Sequence, residues 1–343
     1  MRRFSCTCGG QVFFENTRCL ACNAVLGIDP HRLQMVAFPA SSPLEGGLDV
    51  TGEGRYRHCR NRAMYENCNW LIQDPDSDAY CIACRLNRTI PDLSTDENRQ
   101  HWAQLERAKR RLVFSLLDLS LPVNSQVRGW PFGLAFDFIE DKRSNPLVEE
   151  EHVNTGHAGG VITINVAEAD DVLRAMNRKH MNESYRTLLG HFRHKSGHYY
   201  FESLVNNEVD AARFRALFGD PDEDYDAALM RYYDLGPASD WESRFISAYA
   251  SSHPAEDWAE TWAHYLHMID TLETAGNYAL GVRFDREVGL DACLGEWMRF
   301  TIALNDLNRS MGLRDAYPFV INPVVVSKLR FIHGLLEPGR AAS

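Results

Sequence analysis

The sequence predicts an α+β fold, with small cysteine-rich modules at the N-terminus followed by a mainly helical domain that carries a small sheet. Three observations predict it. Eight of the nine cysteines fall within residues 1–90, in two sets of four with short internal spacings. Two β-branched or aromatic runs, Gly133-Leu-Ala-Phe-Asp-Phe-Ile and Gly160-Val-Ile-Thr-Ile-Asn-Val, lie in the middle of the chain. From residue 168 onward, apolar residues recur at helical spacing almost to the end.

The bulk numbers bound what such a chain can do. With 343 residues, 45% hydrophobic and 24% charged, it can bury a large core and still carry one or two small modules. Its net charge of −11 argues against attraction of the whole chain to nucleic acid or anionic membrane, so neither is an expected partner. Met-Arg-Arg-Phe-Ser-Cys shows no apolar run typical of a signal peptide, and no stretch is long and apolar enough to span a bilayer. A cytoplasmic location is expected. In that compartment clustered cysteines read as metal ligands rather than disulfides.

In chain order, the first set is Cys6, Cys8, Cys19 and Cys22, and the second is Cys59, Cys68, Cys81 and Cys84. A Cys-x-x-Cys turn presents two thiolates to one tetrahedral ion, and Gly9 and Gly10 relieve the tight knuckle. Short β-type runs, Gln11-Val-Phe-Phe and Asn69-Trp-Leu-Ile, lie between the pairs as in a zinc ribbon. Local loop closure costs less than interleaving, so one zinc is expected per set. The first module spans 1–40 and the second 50–90, with the Gly-, Ser- and Pro-rich residues 35–57 as connector. Such four-cysteine sites are coordinatively closed and structural. Arg60, Arg62, Arg85 and Arg88 give this region local basic character. Cys293 reads as a core residue.

The larger domain spans 91–343. Ser94 and Glu97 form a candidate capping box ahead of a helical stripe, Trp102, Leu105, Ala108, Leu112 and Leu116, with Arg and Lys opposite. Beyond the two strand runs, helices are expected at 168–180, 183–205, 207–217, 222–233, 239–250, 255–275, 288–310 and 323–336.

The helix over 183–205 carries His191, His194 and His198 on one face. His194 and His198, four apart, reach one metal, as the histidines of a zinc-peptidase His-Glu-x-x-His helix do. The second helix, Pro254-Ala-Glu256-Asp257-Trp-Ala-Glu260-Thr-Trp-Ala-His264-Tyr-Leu-His267, has Glu256, Glu260, His264 and His267 on one stripe. A catalytic zinc takes three protein ligands and keeps one open position. Glu256, in the first turn, is the first choice to complete a His-His-Glu set. Glu260 is expected to orient a ligating imidazole, and His191 and His264 to lie around the ligands.

These words together resemble the bacterial zinc-binding metallopeptidases that carry an N-terminal zinc ribbon. The matching stretches are the paired cysteine groups, Cys84-Arg-Leu-Asn-Arg-Thr-Ile-Pro-Asp-Leu-Ser, Tyr185-Arg-Thr-Leu-Leu-Gly-His-Phe-Arg-His194, Gly197-His-Tyr-Tyr and Glu256-Asp-Trp-Ala-Glu-Thr-Trp-Ala-His-Tyr-Leu-His267. The resemblance covers nearly the whole chain. It implies a zincin-like metallopeptidase domain with a gluzincin-like zinc on His194, His198 and Glu256, hence about three zinc ions per chain. A more distant similarity, to the anthrax lethal factor type of zinc protease, rests on Glu256-Asp-Trp-Ala-Glu260 and implies a tyrosine seven residues earlier, here Tyr249, as oxyanion donor. Gly160-Val-Ile-Thr-Ile-Asn would suit the edge strand on which zinc proteases lay an extended peptide, and equally an ordinary strand within a sheet.

Lys195 departs from the family, which carries glutamate there as general base and tryptophan at the position of Ala255. A protonated lysine accepts no proton, and at an effective dielectric near 20 an ammonium about 5 Å from Zn²⁺ is repelled by roughly 6–7 kcal/mol. The expectation is a zinc-dependent peptidase-type protein, impaired or inactive in peptide-bond hydrolysis. Its alternative is a non-catalytic zinc-bound scaffold that binds a peptide or protein partner through the ribbon and the former cleft.

Overall fold

The structure, a computed structural model, describes residues 2–44, 46–50, 54–145, 147–153, 155–180, 187–285 and 289–337. Small sheets precede a mainly helical region, an α+β architecture with a zinc-ribbon-like N-terminus. The chain divides into two compact units, Arg2–Arg174 and Ala175–Ser343.

In the first unit, β1 (Phe4–Ser5) pairs antiparallel with β2 (Gln11–Val12), and β3 (Val25–Asp29) with β4 (Gln34–Phe38). A three-stranded antiparallel sheet follows, formed by β5 (Leu48–Val50), β6 (Gly54–His58) and, after the short helix α1 (Arg60–Tyr65), β7 (Leu71–Gln73). The expected connector over 35–57 is therefore interrupted by strand at residues 35–38, 48–50 and 54–57. Val36 and Phe38 pair with β3, and Tyr56 with β7, so tertiary pairing overrides the Gly, Ser and Pro signal. The two cysteine modules share one apolar core of Val25, Val36, Phe38, Leu48, Tyr56 and Leu71. Gly27 permits it, since a Cβ there would meet a Leu71 methyl at 2.5 Å.

Beyond β8 (Asn87–Thr89), the long helix α2 (Asp96–Asp118) begins one residue later than expected. Its N-cap is Thr95, whose hydroxyl accepts from the Asn98 N–H, while the Ser94 hydroxyl donates to Asp92 instead. Trp102, Leu105, Ala108, Leu112 and Leu116 are all buried. The opposite face is not wholly basic and solvated, because Lys109 and Arg110 are buried too. Lys109 pairs with the buried Glu106 at 2.7 Å and lies over the rings of Phe136 and Phe138, which offsets its desolvation.

The middle sheet has the order β10-β11-β9-β8, where β9 is Ala135–Ile139, β10 Gly156–Ala158 and β11 Val161–Asn165. β11 runs parallel to β9 and antiparallel to β10. This corrects the edge-strand expectation. β11 is hydrogen-bonded on both sides and has no free backbone edge to offer a peptide.

Asp141, fully buried, anchors the loop after β9. It accepts hydrogen bonds from the backbone N–H of Arg143 and of Val153, both 3.0 Å, and from the Asn165 amide. Burial acts to raise its pKa and is outweighed by the Arg143 guanidinium and these donors, which hold the carboxyl below the usual carboxylate range.

Helix α3 (Asp171–His180) leads to the second unit. There follow α4 (Leu188–Leu204), α5 (Glu208–Phe218), α6 (Tyr225–Leu235), α7 (Trp241–Arg244), α8 (Pro254–Asn277), α9 (Leu290–Ser310) and α10 (Pro323–Leu335). The expected start of the site helix at 183, with Tyr185 and Arg186 of the family-like stretch, lies outside the described residues, as does residue 288. The helix expected over 239–250 is only one short turn, because Phe245 is extended, followed by a 3₁₀ turn at Tyr249–Ser251. Cys293 is buried in α9. No described helix is long and apolar enough to cross a membrane.

The depressed pKa of Asp141 gives a signed prediction. Its stabilisation is present above the unfolded-state carboxylate pKa and is lost as pH falls toward the folded value. Asp141→Asn should destabilise the protein by roughly 1–3 kcal/mol near neutral pH. The gap to the unsubstituted chain should close progressively below about pH 4, measured by urea unfolding across a pH series. A gap that persists undiminished in acid would contradict the assignment.

Candidate metal centres

Three groups of ligand-type side chains converge among the described residues, and the atoms of each lie within 4.8 Å of one another. They are Cys6, Cys8, Cys19 and Cys22; Cys59, Cys68, Cys81 and Cys84; and His194, His198 and Glu256.

In the first group, Cys6 and Cys22 have sulfurs 3.6 Å apart, and Cys8 and Cys19 3.7 Å. In the second, Cys68 stands 3.8 Å from both Cys81 and Cys84. No pair is at disulfide distance. Two sulfurs each about 2.3 Å from a tetrahedral ion would stand roughly 3.8 Å apart, so the spacing fits zinc. Thiolate formation is favoured at Cys19 and Cys68 and disfavoured at Cys22, Cys59 and Cys81. The backbone N–H groups of Cys22 and Ala21 draw the Cys19 thiol down to about 7. At Cys68 burial opposes ionisation but is outweighed by hydrogen bonds from the neighbouring cysteines and by the charge of Arg110. The Trp70 N–H also donates to the Cys68 sulfur.

The third group is built by the crossing of α4 and α8. Thr187 caps α4 by accepting from the Gly190 N–H at 3.0 Å. His253 caps α8: its Nδ1 accepts from the Ala255 N–H while its Nε2–H donates to the Glu223 carbonyl. Pro254 sets the first turn. At the crossing stands Gly197, where a Cβ would come within 3.0 Å of the Ala259 Cα and 3.1 Å of the Trp262 ring. Trp258 and Trp262, both fully buried, donate indole hydrogen bonds across it to the Gly197 carbonyl and the Ser196 hydroxyl, at 2.8 and 3.1 Å.

The result is three lone pairs facing one another. Glu260 accepts from His194 Nδ1 at 2.7 Å and is itself held by the Ser247 hydroxyl at 2.7 Å. A carboxylate on Nδ1 places the proton there and leaves Nε2 bare in the neutral ring. That Nε2 lies 3.2 Å from His198 Nε2 and 2.9 Å from Glu256 Oε2. Nitrogen and oxygen ligands about 2.0–2.1 Å from a tetrahedral ion would stand roughly 3.3–3.4 Å apart. Without a cation, facing acceptors would oppose one another unless one of them holds a proton. Burial lowers the pKa of His194, yet Glu256 and then Glu260 outweigh burial and raise it, a proton taking the part of the metal. The donor set fits zinc.

The surroundings were only partly readable. Tyr225 in α6 was not anticipated; its hydroxyl donates to Glu256 Oε1 at 2.6 Å. No motif spacing marks it, since α6 is separate in sequence from both ligand helices. Ser247 was missed for the same reason. The Tyr249 ring lies 6.2 Å from the His194 ring, and burial followed by the Glu256 charge holds its pKa well above the usual tyrosine range. His191 is half-buried one turn before His194 and outside the ligand group. His264, buried and lowered to about 4 chiefly by desolvation, bonds the Tyr317 hydroxyl at 2.8 Å rather than a ligand. His267 contacts Arg193, which pairs with Asp270. Lys195 is 9% exposed, makes no hydrogen bond or ion pair among the described residues, and acts electrostatically on both His194 and Glu256.

A family described as "Putative zinc-binding metallo-peptidase" matches residues 98–335, and a zinc-ribbon domain matches residues 3–95. Uncharacterized proteins of Mycobacterium bovis and Mycobacterium tuberculosis are each 39% identical over 346 residues, covering 98% of this chain and 96% of the relative. No solved structure matches the chain.

The Gly197 contact makes a sharp prediction. Gly197→Ala should force α4 and α8 apart, destabilising the protein by about 1–3 kcal/mol and releasing metal from the histidine centre before the cysteine centres. Thermal unfolding with metal analysis checks it; unchanged metal retention would show that the close approach is dispensable.

Proposed function

Because the chain belongs to the zinc-binding metallo-peptidase family, we propose that His194, His198 and Glu256 hold zinc in a peptidase-type cleft in which Lys195 disables the activation of water. Zinc binding itself follows from the family and the cysteine groups. What carries the finer reading is the convergence of two imidazole Nε2 atoms and a buried carboxylate, with Glu260 fixing the tautomer of one imidazole.

When bound there, zinc supplies Lewis-acid polarisation of a peptide carbonyl and acidification of a water molecule. The chain's own residues do the rest. Glu256 is oriented by the Tyr225 hydroxyl on Oε1, which turns Oε2 toward His194. Tyr249, beside the His194 ring and kept protonated by burial and neighbouring negative charge, can donate to a developing oxyanion. Proton acceptance is missing. Glu260 is occupied by His194 and Ser247, and the position expected of a general base is held by the buried ammonium of Lys195.

The same observation favours a second reading, a zinc-bound scaffold that holds a peptide or protein partner without cutting it. In both readings the two four-cysteine centres are structural, zinc totals about three per chain, and the reduced thiols suit the cytoplasm.

Metal analysis of the purified protein should find about three zinc ions per chain, falling to about two in His194→Ala/His198→Ala. Two in the unsubstituted protein would sink the histidine centre. Hydrolysis of a mixed peptide library by Lys195→Glu should exceed that by the unsubstituted chain roughly 10²–10⁴-fold at equal zinc content. Equal rates would mean that Lys195 is no impairment. Stoichiometric peptide retention without cleavage by either protein would favour the scaffold.

A further inference from the structure

The first unit holds a cavity of about 220 Å³ beside the second four-cysteine group, touching it at Cys84. Its floor includes Cys84, Asn61 and Trp102, and its sides carry Arg85, Arg88 and Arg128. None of the described residues lining it is an aspartate or glutamate.

The three guanidinium groups are held in a common way, each pinned to a carboxylate outside the cavity lining. Arg85 Nη2 donates to Asp76 at 2.6 Å; Arg128 donates through Nε and Nη2 to Asp78 at 2.6 and 3.0 Å; Arg88 donates through Nε and Nη2 to Asp137. A guanidinium has five N–H groups in a rigid fork. Pinning one edge therefore leaves Nη1 of all three, and Nε of Arg85, without an acceptor among the described residues. The buried indole N–H of Trp102 also has no partner among them. The unmet hydrogen-bonding capacity around this cavity is thus dominated by donors. Two of these donors, Arg85 Nε and Trp102 Nε1, are buried, while Arg88 and Arg128 are partly open to solvent. An unmet buried donor is costly, and the group that satisfies several donors at once is an oxyanion. Ile90 and Val127, about two-fifths exposed, give the same cavity an apolar wall.

We propose that this cavity is a binding site for a small oxyanion, a carboxylate or a phosphate group carried on a molecule with a short apolar part. Of the four arginines that make the ribbon sequence basic, Arg62 is buried and donates to the Leu26 and Thr17 carbonyls, and Arg60 contacts Met64. Arg85 and Arg88 are the pair directed to this site, joined by Arg128 from outside the ribbon. The three aspartates cancel the net charge, so recognition rests on short-range donation rather than on a long-range field. The site is independent of the histidine centre and of whether that centre is catalytic.

The test uses the full zinc-loaded chain and follows indole N–H signals by nitrogen–proton correlation NMR. The Trp102 signal is assigned with Trp102→Phe. Isobutyrate, its neutral isostere isobutyramide, and inorganic phosphate are titrated separately. Isobutyrate should shift the Trp102 signal saturably, with a dissociation constant of about 1–10 mM, and isobutyramide should not. Saturable binding by phosphate but not isobutyrate would also support an oxyanion site and would assign it to phosphate. Arg88→Lys/Arg128→Lys keeps both ion pairs with aspartate and removes the planar fork. It should weaken binding at least about fivefold while leaving the other indole signals in place. No saturable shift by either anion, an equal response to isobutyramide, or undiminished affinity in the double variant would overturn the proposal.

Discussion

The histidine centre depends on one close approach, that of α4 to α8 at Gly197. A helix pair with ordinary side chains at the contact keeps its axes about 8–10 Å apart. Here a missing Cβ lets the backbone of α4 settle against Ala259 and the Trp262 face. Two indole donors bridge the seam, so the polar backbone exposed by the glycine is satisfied. Only at this separation do His194 and His198 on one helix reach Glu256 on the other. Buried ion pairs reinforce the arrangement: Arg193 of α4 pairs with Asp270 of α8, and Asp257 of α8 pairs with Lys328 of α10. Breaking one side of such a pair leaves an uncompensated buried charge, so these contacts make the helix register hard to alter.

Three carboxylates within one short word meet three different fates. Glu256 faces the imidazoles and takes the Tyr225 hydroxyl on its other oxygen. Asp257, one residue on and 100° round the helix, points to Lys328; burial drives its pKa up to about 7 against the pull of that lysine. Glu260 returns to the ligand face one turn later and fixes the proton on His194. A simple acidic helix terminus complementing the helix dipole would need none of these partners. Lys195 enters the same field. Its charge and a bound cation both favour the ionised form of Glu256, and each opposes the other.

The N-terminal unit combines two four-cysteine groups with a small apolar core. The four-cysteine groups fix the knuckles, and strands from both halves of the cysteine-rich region share a small apolar cluster. Beside the second group, the buried Glu106 lies between Lys109, Arg110 and the Cys84 sulfur. The Arg110 guanidinium supplies positive charge against thiolates that would otherwise stand in a low-dielectric interior.

The sequence by itself determined the chemistry of the sites and the class of fold. Ligands four apart on a helix or two apart in a knuckle are set by local geometry, so His194 with His198 and the cysteine pairs could be read from spacing. The apolar stripe of α2 and the long helices were legible for the same reason, because periodicity reports burial. What only the tertiary structure decided was everything that depends on partners distant in the chain. It turned residues 35–38 from connector to strand, put β11 inside its sheet, and buried Lys109 beside Glu106. It brought Tyr225 and Ser247 to the carboxylates of α8 and gave Gly197 its role at the crossing. Spacing carries information over a turn or two of helix. Beyond that range, side-chain contact is fixed by packing, and packing exists only once the helices have met.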